Sequence, residues 1–197
     1  HITLKNIDRE VIFMLSRDAL KEFLVECHLR QLSDRTIKHE RNSNNALLTF
    51  LEREYQITQI EEIRHVHLKG YIQYLIKLQR KETYINGLIK SFRAFFKYCV
   101  NEEYISVNPA LKVSFQKEEI PKILTFKDDE VIRMINYYKG TSFLQVRNKL
   151  IMILLFDTGI RNTELCTIKM VDLRENAISI YGKGKKIRYV PVSYTHL

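Results

Sequence analysis

Residues 157–192, DTGIRNTELCTIKMVDLRENAISIYGKGKKIRYVPV, constrain the fold of this chain most. The apolar run Ile151 to Phe156 reads as the end of a buried helix. Asp157-Thr158-Gly159 stops it, with Gly159 as the left-handed residue after the last turn, because glycine meets no Cβ clash there. A new helix is expected near Arg161, with Leu165 and Ile168 on neighbouring rows. Asn176 to Ile180 alternates as a strand, Tyr181 to Lys185 is a glycine-rich turn, and Ile187 to Val192 is the return strand. A short helix and a two-stranded hairpin are therefore expected within 36 residues.

Two cations stand out. Arg161 follows a tight turn at a helix start, and Lys183 lies between two glycines at the hairpin tip. A guanidinium keeps its charge and offers a planar fork of donors to a phosphate. A lysine on a glycine-flanked tip can approach a nucleic acid backbone and hand over a proton. Glu164, three residues after Arg161, is spaced to hold the guanidinium. Each feature alone is most often a solvated surface group; their combination is what carries information.

The remainder reads as helices. The first opens at Ser16 or Arg17, with a stripe of Leu20, Phe23, Leu24 and Cys27. Ser33 is a helix cap for a second helix reaching about Tyr55, with Ile37, Leu47, Phe50, Leu51 and Tyr55 inward. Its first half is polar and basic, and Arg35, Lys38 and Arg41, with His39, Asn42 and Asn44 beside them, form a candidate phosphate-contacting face. A third helix is expected over about Arg64 to Gln79, and a fourth over about Thr83 to Asn101. The fourth carries Tyr84, Phe92, Phe95, Phe96 and Tyr98, spaced as core, and a basic edge of Lys90, Arg93 and Lys97. Asn108-Pro109 ends the bundle and Val113 to Lys122 reads as a linker. Thr125 to Asp128 reads as a capping box opening a helix to about Tyr138, and another helix covers about Thr141 to Phe156.

Composition narrows the partner class. A net charge of +9 on 197 residues favours a polyanion such as nucleic acid, and Lys183, Lys185, Lys186 and Arg188 form the sharpest cluster. The three cysteines, Cys27, Cys99 and Cys166, are far apart and each lies in an apolar-periodic segment. Buried, reduced thiols in a cytoplasmic protein are expected, with neither zinc nor a disulfide framework. No apolar run reaches membrane-spanning length.

The motifs also carry a resemblance. Thr158 to Leu165, TGIRNTEL, resembles the T-G-[LI]-R-x-x-E-L box of the tyrosine recombinase (phage integrase) family. Lys169 to Leu173 fits the stretch after it, with Asp172 matched and Ile168 standing for the leucine. Gly182 to Val192, GKGKKIRYVPV, resembles the G-K-G-x-K-x-R-x-V-P hairpin of bacterial Xer-like members. Upstream, Phe95 to Tyr98 with Asn108-Pro109, and Pro121 to Thr125, resemble the end of the family's core-binding domain and its linker. Asn148 after Arg147 departs from the usual Arg-Asp pair.

The resemblance implies a mainly α chain. Residues 1–115 would be a four-helix, SAM-like core-binding domain, and residues 121–197 the first part of a mixed α+β catalytic domain with its β-hairpin. It implies site-specific cleavage and rejoining of double-stranded DNA through a 3′-phosphotyrosyl link, without metal or cofactor. It further implies a homo-tetramer on DNA for the full-length protein and no membrane. Arg161 and Lys183 would be catalytic, Glu164 would support Arg161, and Arg35, Lys38, Arg41, Lys90, Arg93, Lys97, Lys185, Lys186 and Arg188 would contact DNA. The family's His-x-x-Arg box and nucleophilic tyrosine follow the hairpin at some distance, whereas here Tyr194 and His196 directly follow Val192. The expectation is a chain that holds two of the active-site groups and does not cleave DNA by itself, with Ser193 to Leu197 as a remnant tail. The alternative is a DNA-binding module without catalysis.

Overall fold

The computed structural model describes residues 14–119, 122–182 and 186–192. They divide into two compact units, one on each side of the boundary between residues 120 and 121 in the sequence. The fold is mainly α, with one small antiparallel sheet.

The first unit is built from α1 (Ser16–Leu29), α2 (Asp34–Tyr55), α3 (His65–Lys77) and α4 (Glu82–Asn101). Ser33 caps α2 as its sequence position suggests, its hydroxyl accepting from the Thr36 N–H. α4 is the central element. Its aromatic stripe is core, with Phe92, Phe95 and Phe96 at 1%, 0% and 0% exposure. Phe95 packs on Phe23 of α1 and on Phe96, with ring centroids 5.6 and 5.1 Å apart. A polar seam joins α2 to α4: the Ser91 hydroxyl donates to Glu40 at 2.6 Å, and the Asn44 amide donates to Ser91 at 3.0 Å. Arg17 of α1 grips Glu52 of α2 through two bonds of 2.6 Å.

Several expectations are corrected here. Tyr55 and Tyr84 are exposed rather than core, because each lies at an end of its helix, where the packed stripe has run out. Asn44 is fully buried in the seam, not on the solvated basic face. The start of the linker is not free chain. A 3₁₀ turn, Pro109–Lys112, leads into Val113, which is buried in the core. Asn86 of α4 then pairs with the Gln116 backbone in both directions, at 2.9 and 2.7 Å, and its amide also reaches Glu118 at 2.6 Å. The segment up to Glu118 is thus strapped along α4.

The second unit holds α5 (Asp128–Tyr137), α6 (Phe143–Thr158), α7 (Asn162–Leu165) and a hairpin of β1 (Ala177–Tyr181) and β2 (Ile187–Pro191). The box at the start of α5 is shifted: Glu130, not Asp128, accepts from the N–H of Lys127 at 2.8 Å. Gly159 is left-handed (φ +60°), as expected. The hairpin register pairs Ile178 with Val190 and Ile180 with Arg188. Ile160, Ile178, Ile180 and Val190 form the core, with Leu154, Leu155, Leu165, Ile168 and Val192 against it. Ile153 is the one buried residue of α6, and α5 has none. The run at residues 151–156 is therefore only partly covered among the described residues.

Cys27 and Cys99 are buried, and burial pushes the Cys99 thiol up to about 12. Cys166 is exposed, because α7 ends after a single turn and leaves it facing out beside Asn162. No described helix is long and apolar enough to cross a membrane.

Phe95→Ala removes a fully buried ring from the meeting of α1 and α4. Urea unfolding should show the first unit destabilised by roughly 3–5 kcal/mol. A loss below about 1 kcal/mol would mean that the aromatic stripe does not carry the core.

Candidate active site

Arg161 is the residue before the first turn of α7, set there by the left-handed turn at Gly159 and by Ile160, which is 4% exposed and anchors the turn in the core. The Arg161 backbone N–H donates to Glu164 Oε2 at 2.8 Å, and its Nη1 donates to Oε1 at 2.9 Å. The spacing of three residues thus brings carboxylate and guanidinium together as the sequence suggests. The Arg161 side chain is 70% exposed. Among the described residues its Nε and Nη2 have no hydrogen-bond partner, so one edge of the fork faces solvent.

Glu164 is 7% exposed and takes two more bonds. Arg188 of β2 donates from Nη1 to Oε1 at 3.2 Å and from Nη2 to Oε2 at 2.8 Å. One carboxylate therefore serves two guanidiniums, and the local charge is +1. The Arg161 N–H, and after it the two guanidiniums, hold the Glu164 carboxyl below the usual carboxylate range against the opposing effect of burial. The same device recurs one turn on, where Asp172, also buried, accepts from the Lys169 N–H at 2.8 Å. At the variant position in the motif, Asn148 Oδ1 accepts from Arg147 Nε and Nη2 at 3.3 and 3.1 Å, so the amide takes the place of a salt bridge.

The predicted residues have several fates. Lys183 and Lys185 lie outside the described residues. Lys186 is exposed at the start of the return strand. Arg188, expected on a phosphate, is instead engaged on Glu164, because β2 points it at α7. In the first unit Arg35, Lys38, Arg41, Lys90 and Lys97 are exposed. Helical spacing puts Lys90, Arg93 and Lys97 along one face of α4. Arg93 departs from that face. It donates to the carbonyls of Ala110 and Val113 at 3.3 and 2.8 Å and stacks at 4.2 Å on Phe115. A guanidinium can satisfy two carbonyls and a ring at once, and nothing in its helical spacing signals that choice. Among the described residues no three His, Cys, Asp or Glu side chains are grouped to hold a metal ion.

Residues 17–116 match the phage integrase SAM-like domain, and residues 117–197 match the phage integrase family. The tyrosine recombinase XerC of Thermodesulfovibrio yellowstonii is 34% identical over 136 residues, covering 67% of this chain and 44% of that protein. XerC of Staphylococcus epidermidis is 28% identical over 164 residues, covering 82% and 55%. The chain thus spans about half the length of the curated relatives it matches. In fold it is similar to a lambda integrase dimer bound to a COC′ core site (TM-score 0.72, 15% identity, 92% of this chain and 49% of that one). It is also similar to a lambda integrase tetramer bound to a Holliday junction (TM-score 0.75, 16% identity, 97% and 55%). With one domain model spanning half of the residues and a second continuing to residue 197, the protein belongs to the tyrosine recombinase (phage integrase) family.

Proposed function

We propose that this chain is the DNA-binding and phosphate-activating part of a site-specific recombinase, which cuts and rejoins duplex DNA through a 3′-phosphotyrosyl intermediate. The observation that carries this reading is the Arg161 fork: one amino group is fixed on a buried carboxylate and the other edge is open to solvent. Displacement at phosphorus builds negative charge on the equatorial oxygens. A donor fixed before the reaction stabilises that charge without reorganising, and one such donor contributes on the order of several kcal/mol. Lys183, two residues beyond the end of β1, is the proposed general acid for the leaving 5′-oxygen. Glu164 is the residue that holds Arg161.

The first unit is proposed as the core-binding domain, with Arg35, Lys38, Arg41, Lys90 and Lys97 on phosphates. The XerC relatives and the DNA-bound integrases of similar fold support DNA as partner, and the lambda integrase dimer and tetramer support assembly on it. The cytoplasm is the proposed compartment. No His-x-x-Arg stretch occurs in the 197 residues, so we assign strand cleavage to the whole recombinase, and DNA binding with phosphate contact by Arg161 to this chain.

Binding should weaken steeply with salt. Each phosphate neutralised contributes about −0.9 to the slope of log K against log salt, so a slope of about −4.5 to −5.4 is expected for five or six contacts. A flat response would end the DNA reading. A nicked duplex that traps covalent intermediates should yield no protein–DNA adduct with this chain alone, and an adduct would overturn the division of roles.

In the complete recombinase, Arg161→Ala should impair cleavage of every substrate. Lys183→Ala should be rescued when the leaving 5′-oxygen is replaced by sulfur, since a thiolate departs without a proton. Rescue of Arg161→Ala in place of Lys183→Ala would reverse the two assignments.

A further inference from the structure

Arg188 lies among exposed residues of β2, yet both of its terminal nitrogens are spent on Glu164. Its geometry is the bidentate fork-on-carboxylate arrangement, which fixes the carboxylate plane as well as its distance. That plane decides where Oε1 lies, and Oε1 is the oxygen that accepts from Arg161 Nη1 at 2.9 Å. Arg188 is paired with Ile180 across the hairpin, and Ile180 is 2% exposed. The hairpin register is thereby anchored in the core, and it places Arg188 with it. A chain of fixed contacts runs from the hairpin core through Arg188 and Glu164 to the open edge of Arg161.

We propose that Arg188 is a positioning residue for Arg161, acting through the Glu164 carboxylate, and not a DNA phosphate contact. This rests on the assignment of Arg161 to the reacting phosphate. Two physical points favour it. A carboxylate with 7% of its surface exposed needs more compensation than one exposed arginine supplies, and truncating one partner of such a group leaves the charge buried and underpaired. Without Arg188 the carboxylate would keep one fixed anchor, the Arg161 N–H on Oε2, while Oε1 would be held only by the long Arg161 side chain, and the orientation of the open edge would be less constrained. The charged groups bonded to Glu164 are Arg161 from the start of α7 and Arg188 from β2, and each lies on a different element.

The test uses the 197-residue chain, with the Glu164 side-chain carboxyl followed by carbon NMR across a pH series and duplex binding measured across a salt series. Arg188→Gln should move the Glu164 midpoint up toward the ordinary glutamate value and broaden the Arg161 guanidinium signals, while the salt slope of DNA binding stays as in the wild type. Arg188→Lys keeps the charge but not the fork, and its Glu164 midpoint should fall between the two. The proposal is overturned if Arg188→Gln leaves the Glu164 midpoint where it was, or lowers the magnitude of the salt slope by about 0.9, the signature of one lost phosphate contact. It is overturned equally if Arg188→Lys titrates like the wild type, because charge without the fork would then suffice. The carboxyl titration needs no DNA. A wild-type chain that bound DNA without salt dependence would sink the proposed function and leave the Glu164–Arg188 result standing on its own.

Discussion

A buried carboxylate accepting from two guanidiniums and a backbone N–H is the interaction on which the second unit depends. Glu164 has little surface exposed to water, so its charge must be compensated by protein donors, and those donors come from α7 and β2. The requirement fixes three things together. It sets the first turn of α7, where the Arg161 N–H is satisfied by the carboxylate. It sets the approach of the hairpin, whose strand must deliver Arg188. It also leaves Arg161 with a free edge, since the carboxylate satisfies only one of its amino groups. Among the described residues the core cluster beneath the hairpin has four buried side chains, and a charge cluster of this kind adds specificity to so small a core.

The first unit solves a different problem with different means. Its core is large and aromatic, and the polar groups around it are used to fasten segments to α4. Asn86, Ser91 and Arg93 all lie on that helix, and they hold the Gln116 backbone, Glu40 of α2 and the Ala110 and Val113 carbonyls respectively. Five basic side chains, Arg35, Lys38, Arg41, Lys90 and Lys97, are left in solvent.

Much of this was legible in the sequence, for physical reasons that differ by residue. Gly159 and Ser33 were legible because their roles follow from local backbone chemistry alone. Phe92, Phe95 and Phe96 were legible because helical spacing places them on one face. Glu164 was legible as the partner of Arg161 because both lie on one turn. Arg188 and Arg93 were not, since their partners are 24 and 17 to 20 residues away and a guanidinium gives no sign in sequence of which acceptor it takes. The linker was misread because Val113 and Gln116 are held by side chains far back in α4. Cys166 was misread because a helical period was extended past the single turn of α7.

The claim that one carboxylate organises the site is tested most directly by a double-mutant cycle between Glu164 and Arg188, read by urea unfolding of the second unit. Glu164→Gln, Arg188→Gln and the double variant are compared with the wild type at neutral pH. If the two residues act as one unit, the double variant loses much less stability than the sum of the single losses, because the second substitution removes a partner that has already lost its purpose. Additive losses would show that Arg188 and Glu164 contribute independently, and the carboxylate would then not be the element that joins the hairpin to Arg161.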